Sequence, residues 1–443
     1  MSELDLSAPL VVGFGVTGQA VVAALLRRGF NPVVVDDRPS DVTRAASEQA
    51  GLELVEAPSD EELAALVGAS SVVLPSPGLP AMHSVFEAAR AAATPIRSEF
   101  DLAAQWDDRP IVSITGTNGK TTVTLLVADA LERSGIRSAA VGNTETPLVE
   151  AIEDATIDVF VVEASSFRLL HSGRFEPRVA TWLNFAPDHL DAHLDLAEYE
   201  AAKASIWAHL PADGVAIGNR DDPIVMAHLP DSPRSMTFGL EHGDWRVDQH
   251  GWLMGPDGPF VEIDRLSRRR PHDLANALAV AATATAAGAT LDGVVAALVA
   301  FDGFEHRVQF IGEWNAVAWY NDSKATVPHA TLAALGGFDS VVLIAGGKNK
   351  GLELTSLARG VPPVRAVVAT GAAADEVEAV FAGTTVADVR KARSMEEAVE
   401  LAASLALPGD TVLLSPACTS YDWYANYGER GRDFIGIVTR RFA

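Results

Sequence analysis

Residues 111–126 read Ile-Val-Ser-Ile-Thr-Gly-Thr-Asn-Gly-Lys-Thr-Thr-Val-Thr-Leu-Leu, an apolar run that enters a glycine turn and continues as a helix. That order is the one a phosphate cradle requires. Gly116 and Gly119, with Thr117 and Asn118 between them, let backbone N–H groups face an anion. Lys120 supplies a point charge, and Thr121, ahead of Thr122, offers a hydroxyl to a magnesium ion at the start of the helix. The loop is the short form Gly-x-x-Gly-Lys-Thr; the usual Walker pattern would place a glycine at Ile114. A plain strand-to-helix turn with a surface lysine would not need strand, glycines, Lys-Thr and helix in this order.

A second glycine motif, Gly13-x-Gly15-x-x-Gly18, follows a short apolar run and opens a helix that stops at Gly29. The next apolar run, residues 33–37, ends in Asp36 and Asp37 about twenty residues on, which is the dinucleotide fingerprint in spacing and context. Read alone it says NAD, and the motif specifies a diphosphate without saying which. Residues 75–80, Pro-Ser-Pro-Gly-Leu-Pro, form a rigid loop at a strand's carboxyl edge, where such sheets put ligands, and Ser76 lies in it.

Further polar groups fall just past strand-like runs. Glu163 ends one, ahead of Ser165 and Ser166, and a carboxylate there can reach a metal on phosphate oxygens. Residues 184–193 pack Asp188, His189, Asp191 and His193 together, more than a solvated loop needs. Lys203 reads by composition as a surface lysine. Asn276 sits on the first turns of a helix beginning at Pro271. Residues 304–308 and 314–326 read as a hairpin-like strand pair ending in Asp322, Ser323, Lys324 and Thr326, before a helix near Pro328. Two more loops after strands follow, residues 346–351 and 415–431. Cys418 has no partner base nearby and reads as a small packing residue.

The elements that must position these groups alternate strand and helix, which predicts an α/β chain of mostly parallel, covered sheets. At 443 residues, and roughly 150 per domain, about three domains are expected. Their boundaries fall at 1–106, 107–304 and 305–443, with a polar linker at residues 106–110 and an excursion of small antiparallel strands over residues 231–264. Lys plus Arg total 34 against 59 Asp plus Glu, a net charge of -25, so no nucleic acid is expected as a partner. One cysteine fits a reducing compartment. The N-terminus lacks a signal peptide's basic and apolar regions, and residues 274–301 read as two buried helices, so a cytoplasmic protein without membrane insertion is expected.

Residues 115–122 resemble the phosphate loop of the Mur ligases, the ATP-dependent amino-acid ligases of peptidoglycan precursor synthesis, a loop shared with folylpolyglutamate synthetases. Residues 321–326, residues 415–420 and the Arg430-Gly-x-x-Phe434 ending are similar to the D-glutamate-adding members, and the likeness runs in order along the chain. It implies a Rossmann-like N-terminal domain that binds UDP rather than NAD, a central P-loop ATPase-type domain and a C-terminal Rossmann-like α/β domain. The implied reaction adds D-glutamate to UDP-N-acetylmuramoyl-L-alanine through an acyl phosphate, with ATP, two Mg2+ ions and no macromolecular partner, as a monomer.

The implied roles follow residue by residue. Val16, Thr17, Asp37 and Arg38 would lie near the uracil and diphosphate, with Ser76, Asn143 and Ser165 also on the substrate. Lys120 and Thr121 would hold the ATP phosphates and magnesium, and Glu163 and His189 metal. Asn276, Arg307 and Asp322, with His306, would lie by the nucleotide base and ribose. Lys324, Thr326, Lys350, Ser420 and Tyr427 would receive D-glutamate. Lys203 would be a carbamate metal ligand, and Lys120, His189 and Lys203 the catalytic set. This chain departs from the pattern at Thr144-Glu145 after Asn143, at Arg168 where glutamine is usual, and at Lys348, which competes with Lys350. Still open are a related ligase with another amino acid, an NAD-dependent oxidoreductase built on residues 13–37, and a nucleotide-driven switch.

Overall fold

Short runs of valine, leucine and isoleucine bounded by glycine or proline become strands buried on both faces, and these runs set the architecture. The structure is a computed structural model that describes residues 3–442 apart from 145, 187–192, 233, 350 and 351. It divides into two units, Met1–Phe301 and Asp302–Ala443.

In the first unit, β1 (Pro9–Val12), β2 (Val33–Asp36), β3 (Leu54–Glu56) and β4 (Val72–Pro75) form a parallel sheet in the order β3-β2-β1-β4. The chain leaves β1 toward neighbours on opposite sides, and the turn at Gly13 sits at that switch point, where ligands bind in such sheets. A second parallel sheet holds β5 (Ile111–Thr115), β6 (Ser138–Gly142), β7 (Val159–Glu163), β8 (Val179–Trp182), β9 (Val215–Asn219) and β10 (Ser235–Phe238) in the order β10-β9-β8-β5-β7-β6. Here β5 is the switch strand, and it delivers the phosphate loop. The helix Lys120–Arg133 buries Val123, Leu126, Val127 and Leu131. Beside it pack the helices Pro271–Ala286 and Leu291–Ala300, whose alanines allow close approach. The stretch 274–301 is therefore two buried helices. Among the described residues no helix is long and apolar enough to cross a membrane.

The excursion needs one correction. Residues 235–238 extend the parallel sheet as its edge strand, and the antiparallel sheet is confined to β11 (Arg246–Val247), β12 (Trp252–Gly255) and β13 (Gly258–Glu262). Met236 and Phe238 carry that edge, since Phe238 belongs to the core beside the helix Pro271–Ala286.

The second unit has one mixed sheet of β14 (Gln309–Trp314), β15 (Val317–Asn321), β16 (Val341–Gly346), β17 (Val364–Thr370), β18 (Asp388–Ala392) and β19 (Thr411–Ala417), ordered β14-β15-β19-β16-β17-β18. Only the β14–β15 hairpin is antiparallel. The strand pair was expected from residues 304–308, but these make a tight turn instead, with φ of 62° at His306 and 42° at Val308, and the hairpin begins at Gln309. Strands β6 and β18 carry no apolar run and gave no sequence signal. Tyr427, expected in a loop, opens the helix Tyr427–Phe442.

Candidate active site

The phosphate loop leaves β5 at the carboxyl edge and enters the helix Lys120–Arg133 through Gly119, whose φ of 84° favours glycine. A side chain there would also meet Asn276: an added Cβ would lie 2.5 Å from its Oδ1. Asn276 thus comes to the loop from another helix. Asn184, just past β8, pins the loop tip. Its Oδ1 accepts from Thr117 N at 3.0 Å and Asn118 N at 2.8 Å, and its Nδ2 donates to the Asn118 carbonyl at 3.1 Å. Lys120 Nζ donates to the carbonyls of Gly116 and Thr117, both at 2.9 Å. Thr121 and Thr122 lie on the first helical turn, half-buried.

Lys203 overturns the surface reading. It is 1% exposed, its Nζ donates to the Gly116 carbonyl at 2.8 Å, and it lies 4.5 Å from the Tyr199 ring centre. Tyr199, one turn earlier on the helix Leu196–Ala204, has its hydroxyl 3.2 Å from Thr117 Oγ1. One face of that helix therefore supports the phosphate loop from beneath, at the i,i+4 spacing of its face.

Glu163, at the end of β7, is buried. Its Oε1 accepts from Asn143 Nδ2 at 3.0 Å, whereas Oε2 has no hydrogen-bond partner among the described residues; the buried Ser165 Oγ has none either. A buried carboxylate oxygen without a donor suits a divalent cation, so this residue fits magnesium. Among the described residues no cluster of three or more His, Cys, Asp or Glu suits a metal. His189, with Asp188 and Asp191, lies outside them. His193 is committed elsewhere: buried, it bonds Ser166 Oγ at 2.8 Å and stacks on Phe167 at 5.2 Å.

Arg168 ties these groups to the N-terminal motif. One guanidinium donates to Asn143 Oδ1 at 2.9 Å and Thr17 Oγ1 at 3.1 Å, and pairs with Glu99 Oε1 at 3.2 Å. Glu99 Oε2 accepts from Val149 N at 3.0 Å. Burial pushes the Glu99 carboxyl up, against the pull of Arg168, and pushes the Arg168 pKa down. A chain of contacts thus runs from Thr17 through Arg168 and Asn143 to Glu163. Sequence reading noted Arg168 as a departure and missed its partner Glu99 and the loop staple Asn184. Arg168 also borders a cavity of about 400 Å³, whose wall includes Ser76, Phe86, Phe167 and His171. The Phe86 and His171 rings stack at 5.2 Å, and burial lowers the His171 pKa to about 4, leaving a neutral ring.

In the N-terminal motif, Asp36 accepts from Phe14 N at 2.7 Å and Arg38 N at 2.9 Å, so this carboxylate shapes the glycine turn. Ser76 packs on the turn, its Cβ 2.7 Å from where a side chain on Gly13 would begin. Asp37 pairs with His83 Nε2 at 2.7 Å. Val16, at the helix start, is 68% exposed, and the Arg38 side chain faces solvent.

The second unit gathers its polar residues at the carboxyl ends of three neighbouring parallel strands, β15, β19 and β16. Asp322 is buried, accepting from Ser415 Oγ at 2.7 Å and Val308 N at 3.2 Å; burial outweighs these bonds and raises its pKa to about 6. Asn321 Nδ2 lies 2.8 Å from His306 Nδ1, and the His306 carbonyl accepts from Lys324 N at 2.9 Å. Lys324 Nζ lies 5.7 Å from the Tyr427 ring centre. Ser420 is buried at the end of its loop, and Arg307 and Thr326 are half-buried. Lys348 is exposed, with its backbone paired to Thr419; Lys350 lies outside the described residues. Burial raises the Cys418 thiol to about 11, consistent with a packing residue.

Three family descriptions match the chain in succession: the Mur ligase MurD-like N-terminal domain over residues 7–98, the Mur ligase middle domain over 114–284, and the Mur ligase glutamate ligase domain over 306–418. Among curated proteins, the UDP-N-acetylmuramoylalanine--D-glutamate ligase of Methylococcus capsulatus is 37% identical over 98% of this chain and 94% of its own length. That of Frankia casuarinae is 40% identical, with the same coverage of 98% and 94%. Among solved structures, MurF from Acinetobacter baumannii superposes with a TM-score of 0.55 at 18% identity, covering 97% of this chain and 90% of its own. The UDP-N-acetylmuramate-alanine ligase MurC of Thermotoga maritima gives 0.54 at 18%, covering 98% and 99%, so the fold is shared well beyond sequence likeness. With its phosphate loop, its glycine-rich N-terminal sheet and these relatives along its whole length, the chain belongs to the Mur ligase family.

Proposed function

We propose that the chain joins D-glutamate to UDP-N-acetylmuramoyl-L-alanine in cytoplasmic peptidoglycan precursor synthesis, converting ATP to ADP and phosphate. The observation that carries this reading is the continuous contact from Thr17 through Arg168 and Asn143 to Glu163, which joins a diphosphate-type glycine motif to the carboxylate beside the phosphate loop. A simple ATPase would need no such link, and curated relatives sharing the whole chain carry the D-glutamate ligase name.

In this reading Val16, Thr17, Asp37, Arg38 and Ser76 take the UDP part of the substrate, and Asn143 and Ser165 the part nearer the reacting carboxylate. Residues 116–122 take the ATP phosphates; Asn276, Arg307 and Asp322 serve the nucleotide base and ribose. The substrate's terminal carboxylate oxygen bonds to the γ-phosphorus, and the bridging P–O bond breaks with its electron pair on ADP. Lys120 keeps positive charge where negative charge grows. The D-glutamate amine then attacks the acyl carbon, inorganic phosphate leaves, and the amine loses its proton. Lys324, Thr326, Ser420 and Tyr427, with Lys350 or Lys348, hold the amino acid's carboxylates. Magnesium, two ions in this reading, lowers the charge barrier when bound. Thr121, the Glu163 Oε2 oxygen, His189 and a carbamylated Lys203 would hold it. The burial of Lys203 beneath the loop supports that last assignment, because a carbamate there would turn a buried cation into an anionic ligand.

The test is phosphate release from ATP with magnesium and UDP-N-acetylmuramoyl-L-alanine, with each amino acid supplied in turn. Release should require D-glutamate. Equal release with L-alanine or a diamino acid would reassign the acceptor, and release indifferent to any acceptor would reduce the protein to an ATPase.

A further inference from the structure

The Arg430-Gly-x-x-Phe434 ending takes no part in the reactions above, yet Arg430 is 4% exposed, and among the described residues no carboxylate pairs with it within 4.0 Å. Burying a cation without such a partner is costly for stability, so its placement calls for another account. Its four hydrogen bonds go to two loops. Nε donates to Ser323 Oγ at 2.9 Å, Nη2 to the Ser323 carbonyl at 2.9 Å, and Nη1 and Nη2 both to the Cys418 carbonyl at 3.1 Å. Ser323 Oγ in turn donates to the Tyr427 carbonyl at 2.8 Å. Its hydroxyl is thus engaged on both sides.

Those backbones are the ones that carry the amino-acid site. Ser323 lies between Asp322 and Lys324, Cys418 is two residues before Ser420, and Tyr427 begins the helix that holds Arg430. The third loop is drawn in as well. A side chain on Gly347 would begin 3.0 Å from Arg430 Nη1, and Thr419 brackets Lys348, accepting from its N at 2.8 Å and donating Oγ1 to its carbonyl at 2.8 Å. Gly431 leaves room for the His306 ring, which an added Cβ would strike.

We propose that Arg430 is the positioning residue of the amino-acid site: its planar fork fixes Lys324, Ser420 and Tyr427 relative to one another by holding the backbones that bear them. Lysine, with a single ammonium on a flexible stem, keeps the charge but cannot span Ser323 and Cys418 in this geometry. The inference rests on the reading that these three residues receive D-glutamate.

The experiment compares wild type, Arg430→Lys and Ser323→Ala in steady-state kinetics with each substrate varied, alongside thermal melting. Arg430→Lys should raise KM for D-glutamate by about tenfold to a hundredfold, the scale of a misplacement near 1 Å. KM for ATP and for the UDP substrate should stay within about twofold. Ser323→Ala, which removes one of the three acceptors, should move the same constant in the same direction by less, and keeps the test open should Arg430→Lys fail to fold. A D-glutamate KM that does not move in either variant overturns the proposal. So does one that rises only in step with the other two and with a fall in melting temperature, the signature of a structural role. Wild-type release that ignores D-glutamate would instead remove the underlying reading, a failure visible before any variant is made.

Discussion

Arg168→Gln should destabilise the first unit by an amount set by pH. Arg168 is the cationic partner of Glu99 at 3.2 Å, with side-chain exposures of 5% and 2%. Removing one member of a buried pair costs about 3–5 kcal/mol. The carboxyl can limit that penalty by taking up a proton. From an ordinary carboxyl pKa of about 4.3, holding it protonated near pH 7.5 costs about 4 kcal/mol, and near pH 5.5 about 1.6 kcal/mol. The sign follows from the raised folded-state pKa: the variant's folded state binds the extra proton, so its stability falls as pH rises above the unfolded value. Urea midpoints followed by the fluorescence of the buried Trp182 and Trp207, in the same unit, measure the penalty. Adding Glu99→Gln should abolish its pH dependence and recover most of the stability, leaving about 1 kcal/mol for each lost bond to Asn143 and Thr17. A penalty equal at the two pH values, or unchanged by the second substitution, would show that the pair is not the source and would break the account of this network.

Lys120→Ala should lower kcat by about 10³-fold in the phosphate-release assay, since no other residue of the loop brings positive charge to the phosphates; near-normal turnover would sink its assignment. Lys203→Ala should lose about 10²-fold, with partial rescue by small carboxylates if a carbamate is the working group. Loss without rescue would leave Lys203 as the anchor of the Gly116 carbonyl, and full activity would remove it from the site. Asp322→Asn tests the carboxyl whose pKa is raised from 3.8 to about 6 by burial. Because its folded pKa lies above the unfolded one, its stabilisation is complete below pH 3.8 and is lost as pH rises through about 6, a change of about 3 kcal/mol. The asparagine variant should therefore gain on wild type by about that amount between pH 4 and 7 in denaturant titrations. A constant gap over that range would contradict the burial argument.

Why some of this was legible in the chain and some was not comes down to range along the sequence. The two glycine turns, the strands of apolar residues and the alanine-rich helices are local patterns, and each formed where the spacing placed it. Strands β6 and β18 were hidden because Ser138-Ala-Ala-Val-Gly142 and Asp388-Val-Arg-Lys-Ala392 are held by neighbouring strands rather than by their own apolar run. The turn at residues 304–308 looked like a strand because the positive φ of His306 is imposed by Asn321 and the Lys324 amide, bonds that no local propensity encodes.

Site residues divide in the same way. Lys120, Thr121 and Glu163 announce themselves by what precedes them, whereas the residues that support them come from far along the chain. Asn184 reaches the Asn118 amide across 66 positions, and Arg168 reaches Thr17 across 151. A lysine or arginine in a helical pattern looks the same in sequence whether it faces solvent or the underside of a phosphate loop; only the partner decides. Arg168 and Arg430 are buried cations, held by an amide, carbonyls or a buried carboxylate in a chain whose net charge is -25, and Lys120 carries its charge within the phosphate loop. Surface acidity cannot attract an anionic nucleotide, so the positive charge that this chemistry needs has to be concentrated inside. Each interior cation carries a desolvation cost, and that cost is the physical reason their substitution should be felt in both stability and turnover.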